Sequence, residues 1–167
     1  MVSVLRNVYF WIAILFLAIT DIFFVGILLD LFNFGFVIGQ YRFNHWLSWI
    51  GFIFILIHVP LFLTMKRRYV KRIRLFLGIH VIGNLTAYLL ISIHFASQIS
   101  RSPQFYPDLG TGISLYIFMI TLVTTGFLQR FGLLIKMKKI WRFLHTSSVF
   151  GLFVIIGFHI LHGIGFL

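Results

Sequence analysis

The chain has no cysteine among its 167 residues, only three acidic side chains and only three prolines. The missing cysteine excludes disulfides, cysteine-ligated iron–sulfur clusters and the C-x-x-C-H attachment of c-type haem. Charge of either sign is scarce: charged residues make up 10% of the chain and hydrophobic ones 60%, whereas a water-soluble fold carries roughly 25% charged residues. With a mean hydropathy of +1.05, no amphipathic pattern could hide so much apolar surface from water in so small a chain, and lipid must cover it. The length suits one compact unit, so the expectation is a single transmembrane domain over residues 1–167.

Five apolar stretches reach the roughly 20 residues needed to span a hydrocarbon core. They lie near Val8–Asp30, Phe43–Met65, Leu75–Ala96, Thr111–Gln129 and Phe143–Phe166. They are too long for strands and show no alternation. Helices satisfy their own backbone groups in lipid. The expected fold class is therefore all-α, an integral membrane bundle of five helices. The first stretch exceeds the core of a cleavable signal peptide and lacks a small-residue cleavage site, so it is expected to be retained.

The net charge of +11 would suggest nucleic acid in a soluble protein. Here the cations sit in short runs between apolar stretches, and no nucleic-acid partner is expected. Lys66, Arg67, Arg68, Lys71, Arg72 and Arg74 follow the second stretch; Arg130, Lys136, Lys138, Lys139 and Arg142 separate the fourth from the fifth. With Arg6 they place twelve of fourteen cations on one side, leaving only Arg42 and Arg101 on the other. The positive-inside rule makes the basic side cytoplasmic. The N-terminus is then inside, the C-terminus outside, and the protein a multi-pass protein of the cell membrane. Ser100–Gly110, with Pro103 and Pro107, reads as an external turn region.

All seven histidines fall within or at the end of a spanning stretch: His45, His58, His80, His94, His145, His159 and His162. An ionisable group inside a membrane is costly and marks function by default, and neutral imidazole is a common metal and haem ligand. His80 and His94 are fourteen residues apart, as are His145 and His159. Fourteen steps return a helical side chain to within about 40° of its starting direction and advance it about 21 Å. Helices three and five thus each present two imidazoles on one face, one near each membrane surface. They run in the same direction, which puts His80 level with His145 on the cytoplasmic side and His94 level with His159 outside. Such a pair could clamp two stacked haems through their irons. Gly83 and Ala87 lie on the His80 side of helix three, where they would admit a flat macrocycle or serve ordinary helix packing; Ser148 and Leu152 occupy the corresponding places on helix five.

These two H-x13-H helices, with a histidine-free helix between them, resemble the haem-binding core of the ferric-reductase-like transmembrane family. The ending His145-x13-His159-x2-His162 is similar to the last helix of the cytochrome b subunits of formate dehydrogenases and hydrogenases. The resemblance covers roughly Leu75 to Phe166. It implies two bis-histidine b haems, or three, and electron transfer across the bilayer, with His80, His94, His145 and His159 as axial ligands. Residues 1–167 include no flavin or nicotinamide module of the oxidase kind, so self-sufficient reductase activity is not expected.

Helix two fits less well. His45 and His58 are thirteen apart, about 140° out of phase on a straight helix, although Pro60 could bend it. Either could replace a haem ligand, contact a propionate or a quinone, or bond a neighbouring helix. His162 could replace His159 or line a quinol site. Asp21 reads as a proton relay or as the partner of a histidine, serine or threonine, and Asp30 and Asp108 as interfacial. Phe43-x-His45 with Gly51 and His58 is echoed one hundred residues later by Phe143-x-His145 with Gly151 and His159, through a repeat or through chance in a biased composition.

Three functions follow. The first is a membrane cytochrome b between a quinone and a partner redox protein, acting as the electron-transfer subunit of an oxidoreductase complex with no catalytic residue of its own. The second is the membrane domain of a ferric or oxygen/superoxide-linked reductase. The third is a haem-free anchor or small transporter whose histidines bind metal or relay protons.

Overall fold

The structure, a computed structural model, describes residues 7–102, 109–133, 135–163 and 166. Arg6, the turn residues Pro103 and Pro107, and Asp108 lie outside the described residues. Five helices are long and apolar enough to cross a membrane: α1 Val8–Leu28, α2 Phe43–Arg68, α3 Ile73–Ile99, α4 Leu109–Phe131 and α5 Lys138–Gly163. The chain is all-α as expected, and each helix overlaps its expected stretch. The helices from α2 onward begin or end a few residues further into the charged loops. Lys66, Arg67 and Arg68 form the last turn of α2, where cations meet the negative end of the helix dipole. One departure is a short hairpin of β1 Val37–Ile38 and β2 Tyr41–Arg42, pairing Val37 with Arg42 and Ile38 with Tyr41. Gly39, with φ of 63°, makes the turn, and the Trp46 indole N–H donates to the Ile38 carbonyl at 3.0 Å.

The helix ends have local causes. The Asn7 side chain caps α1 by accepting the Tyr9 N–H at 3.0 Å. Gly132 ends α4 in a left-handed conformation, with the Leu133 N–H returning to the Leu128 carbonyl at 3.1 Å, a Schellman arrangement that glycine accommodates without strain. Single 3₁₀ turns, Val70–Arg72 and Ile135–Met137, lead into α3 and α5. Hydroxyls inside the spans bond their own helix: Thr20 to the Phe16 carbonyl, Thr86 to Ile82, Ser97 to Ile93 and Thr121 to Ile117. This satisfies them where no water is at hand.

The chain divides into two compact units, residues 1–101 and 102–167. In the first, α3 packs against both α1 and α2, and Ile27, Ile93 and Ala96 are buried among Phe23, Phe24, Phe34, Leu47 and Leu89. The seam between α2 and α3 relies on small residues: a Cβ at Gly51 would lie 3.2 Å from the Ala87 carbonyl oxygen, and Ala87 itself is fully buried. Backbone proximity of this kind replaces the hydrophobic drive that lipid removes. The second unit is the antiparallel pair α4–α5, with Leu115, Met119 and Thr125 of α4 and Ser148 and Leu152 of α5 buried. Large apolar side chains such as Trp11, Ile53, Ile117 and Phe150 point outward from α1, α2, α4 and α5, as a lipid-solvated surface requires.

Candidate functional site

Six of the seven histidines are half-buried, and His162 is exposed at the end of α5. In each unit, the face carrying the fourteen-residue pair meets the neighbouring helix: α3 turns it to α2, and α5 turns it to α4.

In the first unit the rings of His45 and His94 meet edge to face, centroids 5.0 Å apart. Toward the other end of the same seam, the His58 ring lies against Gly83, so close that a Cβ there would collide with it. The ring stacks on Phe54 at 5.4 Å, and its Nδ1–H donates to the Phe54 carbonyl at 2.7 Å. A carbonyl can only accept, so His58 keeps its lone pair on Nε2. His80 stacks on Phe62 at 4.5 Å, and the Asn84 amide N–H donates both to His80 Nδ1 at 3.0 Å and to the His80 carbonyl at 2.6 Å. Both α2 histidines therefore reach α3 despite their thirteen-residue spacing, because Gly83 has no side chain and a ring approaching obliquely can rest on the backbone. Gly83 and Ala87 receive α2 itself, which is small-residue helix packing rather than an open face for a macrocycle.

The second unit holds its histidines differently. His145 Nδ1 lies 3.0 Å from the Thr125 hydroxyl, and that hydroxyl donates its own proton to the Thr121 carbonyl at 2.6 Å. Thr125 must then accept from His145 Nδ1–H, which leaves the lone pair on Nε2. His159 Nδ1 is 2.9 Å from the Thr111 hydroxyl. The neighbour of each threonine is a glycine against the same imidazole: a Cβ at Gly126 would lie 3.3 Å from His145 Cε1, and one at Gly112 would lie 3.8 Å from His159 Cε1. Two Thr-Gly pairs, Thr111–Gly112 and Thr125–Gly126, thus recur at the fourteen-residue spacing of the histidines they support. These residues were missed by sequence reasoning, although the repeated dipeptide on the histidine-free helix was a visible signal.

Sequence pairing joined His80 with His145 and His94 with His159, residues that belong to different units. Within one unit the structure brings His45 to His94. The bond expected from Asp21 to a histidine, serine or threonine is absent among the described residues: its side chain is exposed on α1. No group of three or more histidine or acidic side chains converges among the described residues as a bare metal ion would require. A haem, whose macrocycle supplies four ligands, needs only one or two imidazoles. His58 and His145, whose Nδ1–H groups donate to fixed oxygens, keep Nε2 lone pairs that could bind a metal, as oriented imidazoles of metal sites in general do. No known protein family, curated protein or solved structure matches the chain.

Proposed function

We propose that this chain is a membrane cytochrome b that carries electrons across the bilayer through b haems, with His80, His94, His145 and His159 as the axial ligands. The observation that carries this reading is the repeated support of His145 and His159 by Thr125 and Thr111, because fixing Nδ1 selects the tautomer and aims Nε2. The bound haem would supply one-electron chemistry at its iron. The chain's own residues hold the imidazoles at set depths, exclude water with apolar helices and set the local polarity. His80 can use Nε2 only once the Asn84 amide is turned to offer its oxygen to Nδ1. For the charge-poor end, the contact between His45 and His94 supports a second reading, in which His45 is a ligand and His159 is not. A third haem would draw on His58 in the same way.

In this proposal the chain is the membrane arm of an oxidoreductase complex in the cell membrane, passing electrons between a quinone near His159 and His162 and a redox partner on the other side. The cation-rich face, with Arg67, Arg68 and Arg142, would steer an acidic partner. The resemblance to the ferric-reductase-like family supports the runner-up, a ferric or oxygen-linked reductase using the same haems. A pyridine haemochrome assay with a reduced-minus-oxidised spectrum of the purified chain tests the reading. Two b haems per chain are expected; a colourless, fully folded protein would sink it and leave a haem-free anchor or transporter.

A further inference from the structure

On the charge reading of the sequence, Arg42 and Arg101 are the two of the fourteen cations expected on the charge-poor side, and they come from different connections. The antiparallel packing of α2 on α3 brings them to one end of the first unit. The contact of His45 with His94 sets the register: Arg42, the residue before α2, precedes His45 by three, and Arg101, two residues past the end of α3, follows His94 by seven. They are close enough to feel one another, since burial and then the charge of Arg42 hold the Arg101 guanidinium below its ordinary range. No carboxylate among the described residues pairs with either, Asp30 included. The polar atoms around them are also unanswered: Arg101 Nε, Gln98 Nε2 and Asn44 Oδ1 are buried without a hydrogen-bond partner, although Gln98 is only 7% and Asn44 only 1% exposed. Gln98 stands one turn beyond His94 on the same face, and Asn44 lies between Arg42 and His45.

We propose that this end of the first unit binds an oxyanion, a carboxylate or a phosphate, between the guanidiniums of Arg42 and Arg101. The Gln98 amide donates a further hydrogen bond. Two like charges kept together at a membrane surface, with no acid among the described residues to relieve them, repel until an anion joins them. The planar guanidinium fork matches the two oxygens of a carboxylate or phosphate. Asn44 Oδ1 accepts from a protonated oxygen of the ligand or from a water on it. The same chemistry comes from two sources, the headgroup of an anionic phospholipid or the carboxylates of a porphyrin. Only the second source rests on the cytochrome reading.

The experiment compares the full chain with the double variant Arg42→Gln/Arg101→Gln, with Arg42→Lys/Arg101→Lys and with Lys138→Gln from the basic side. Native mass spectrometry of delipidated protein titrated with phosphatidylglycerol or phosphatidylcholine reads the lipid arm. Haem content and midpoint potential read the porphyrin arm, and circular dichroism checks folding. The glutamine pair should lose selective phosphatidylglycerol binding by roughly tenfold or more, or keep it and lose or shift one haem. The lysine pair should restore part of either effect, and Lys138→Gln should change neither. If wild-type protein holds no haem, the lipid arm alone decides, so failure of the cytochrome reading is seen separately. A folded glutamine pair with wild-type lipid selectivity and wild-type haem, or wild-type protein with no preference for the anionic lipid and no haem, overturns the proposal.

Discussion

The two units solve one problem in two ways. Both contain a helix with histidines fourteen residues apart, and both turn that face toward an antiparallel neighbour. In the first unit the neighbour α2 brings its own histidines and aromatic rings. His94 meets another imidazole, His80 stacks on Phe62 and His58 stacks on Phe54. In the second, the neighbour α4 has no histidine and answers each imidazole with a threonine hydroxyl and a glycine. Stacking alone fixes a ring's position but not its tautomer; in the first unit His58 also has its Nδ1–H bound to the Phe54 carbonyl. A ring whose Nδ1 donates to a fixed acceptor keeps both. The lesson is that equal spacing does not mean equal surroundings: α4 answers the imidazoles of α5 with hydroxyls, and α2 answers those of α3 mainly with rings.

Replacing ligands should break this comparison most sharply. His145→Ala is expected to remove one haem outright and leave the other spectroscopically intact. Comparing His45→Ala with His159→Ala then identifies the partner of His94, since only the true partner's loss removes the haem at the charge-poor end. Full haem content in the His145, His45 and His159 variants together would refute the ligand assignment for both units.

Next in size is the support beneath the ring. Thr125→Val keeps the volume and removes the acceptor, and should weaken haem retention on the basic side about 10–100-fold, with Thr111→Val doing the same at the other end of the unit. Competition with apomyoglobin, followed by absorbance, measures this. Equal retention in both variants would mean that the hydroxyls merely pack.

Smaller effects come from the glycines beneath the rings. Gly83→Ala drives a methyl into the His58 ring and should cost about 1–3 kcal/mol. Gly126→Ala meets His145 Cε1 at 3.3 Å and needs only a slight adjustment, so its cost should be less. Gly157→Ala, with nothing within 4 Å, should leave stability unchanged. Thermal unfolding in one detergent ranks the three, and an order with Gly157→Ala the most damaging would contradict the packing described for both units.

Much of the fold was legible because hydrocarbon imposes one-dimensional rules. Length and apolar composition identify a span, and a helix satisfies its own backbone, so five helices could be read without knowing any neighbour. Their ends were legible only to within a few residues, since Lys66, Arg67 and Arg68 continue α2 into the headgroup region by reaching outward. The hairpin at Val37–Arg42 went unseen because two-residue strands leave no periodic trace, and Gly39 alone is a weak turn signal. The candidate histidines were legible as a set, being polar where polarity is expensive.

Partners were another matter. Helical phase gives the direction a side chain takes from its own axis, and so placed His80 and His94 on one face of α3 and His145 and His159 on one face of α5. It cannot say which helix that face meets. That His45 touches His94, that Thr125 rather than another imidazole bonds His145, and that Arg42 and Arg101 share one end all depend on which helices pack side by side and in what register. In lipid this is settled by close backbone approach at residues such as Gly51, Gly83 and Ala87 and by hydrogen bonds between helices, terms that arise only when two segments distant in sequence come together.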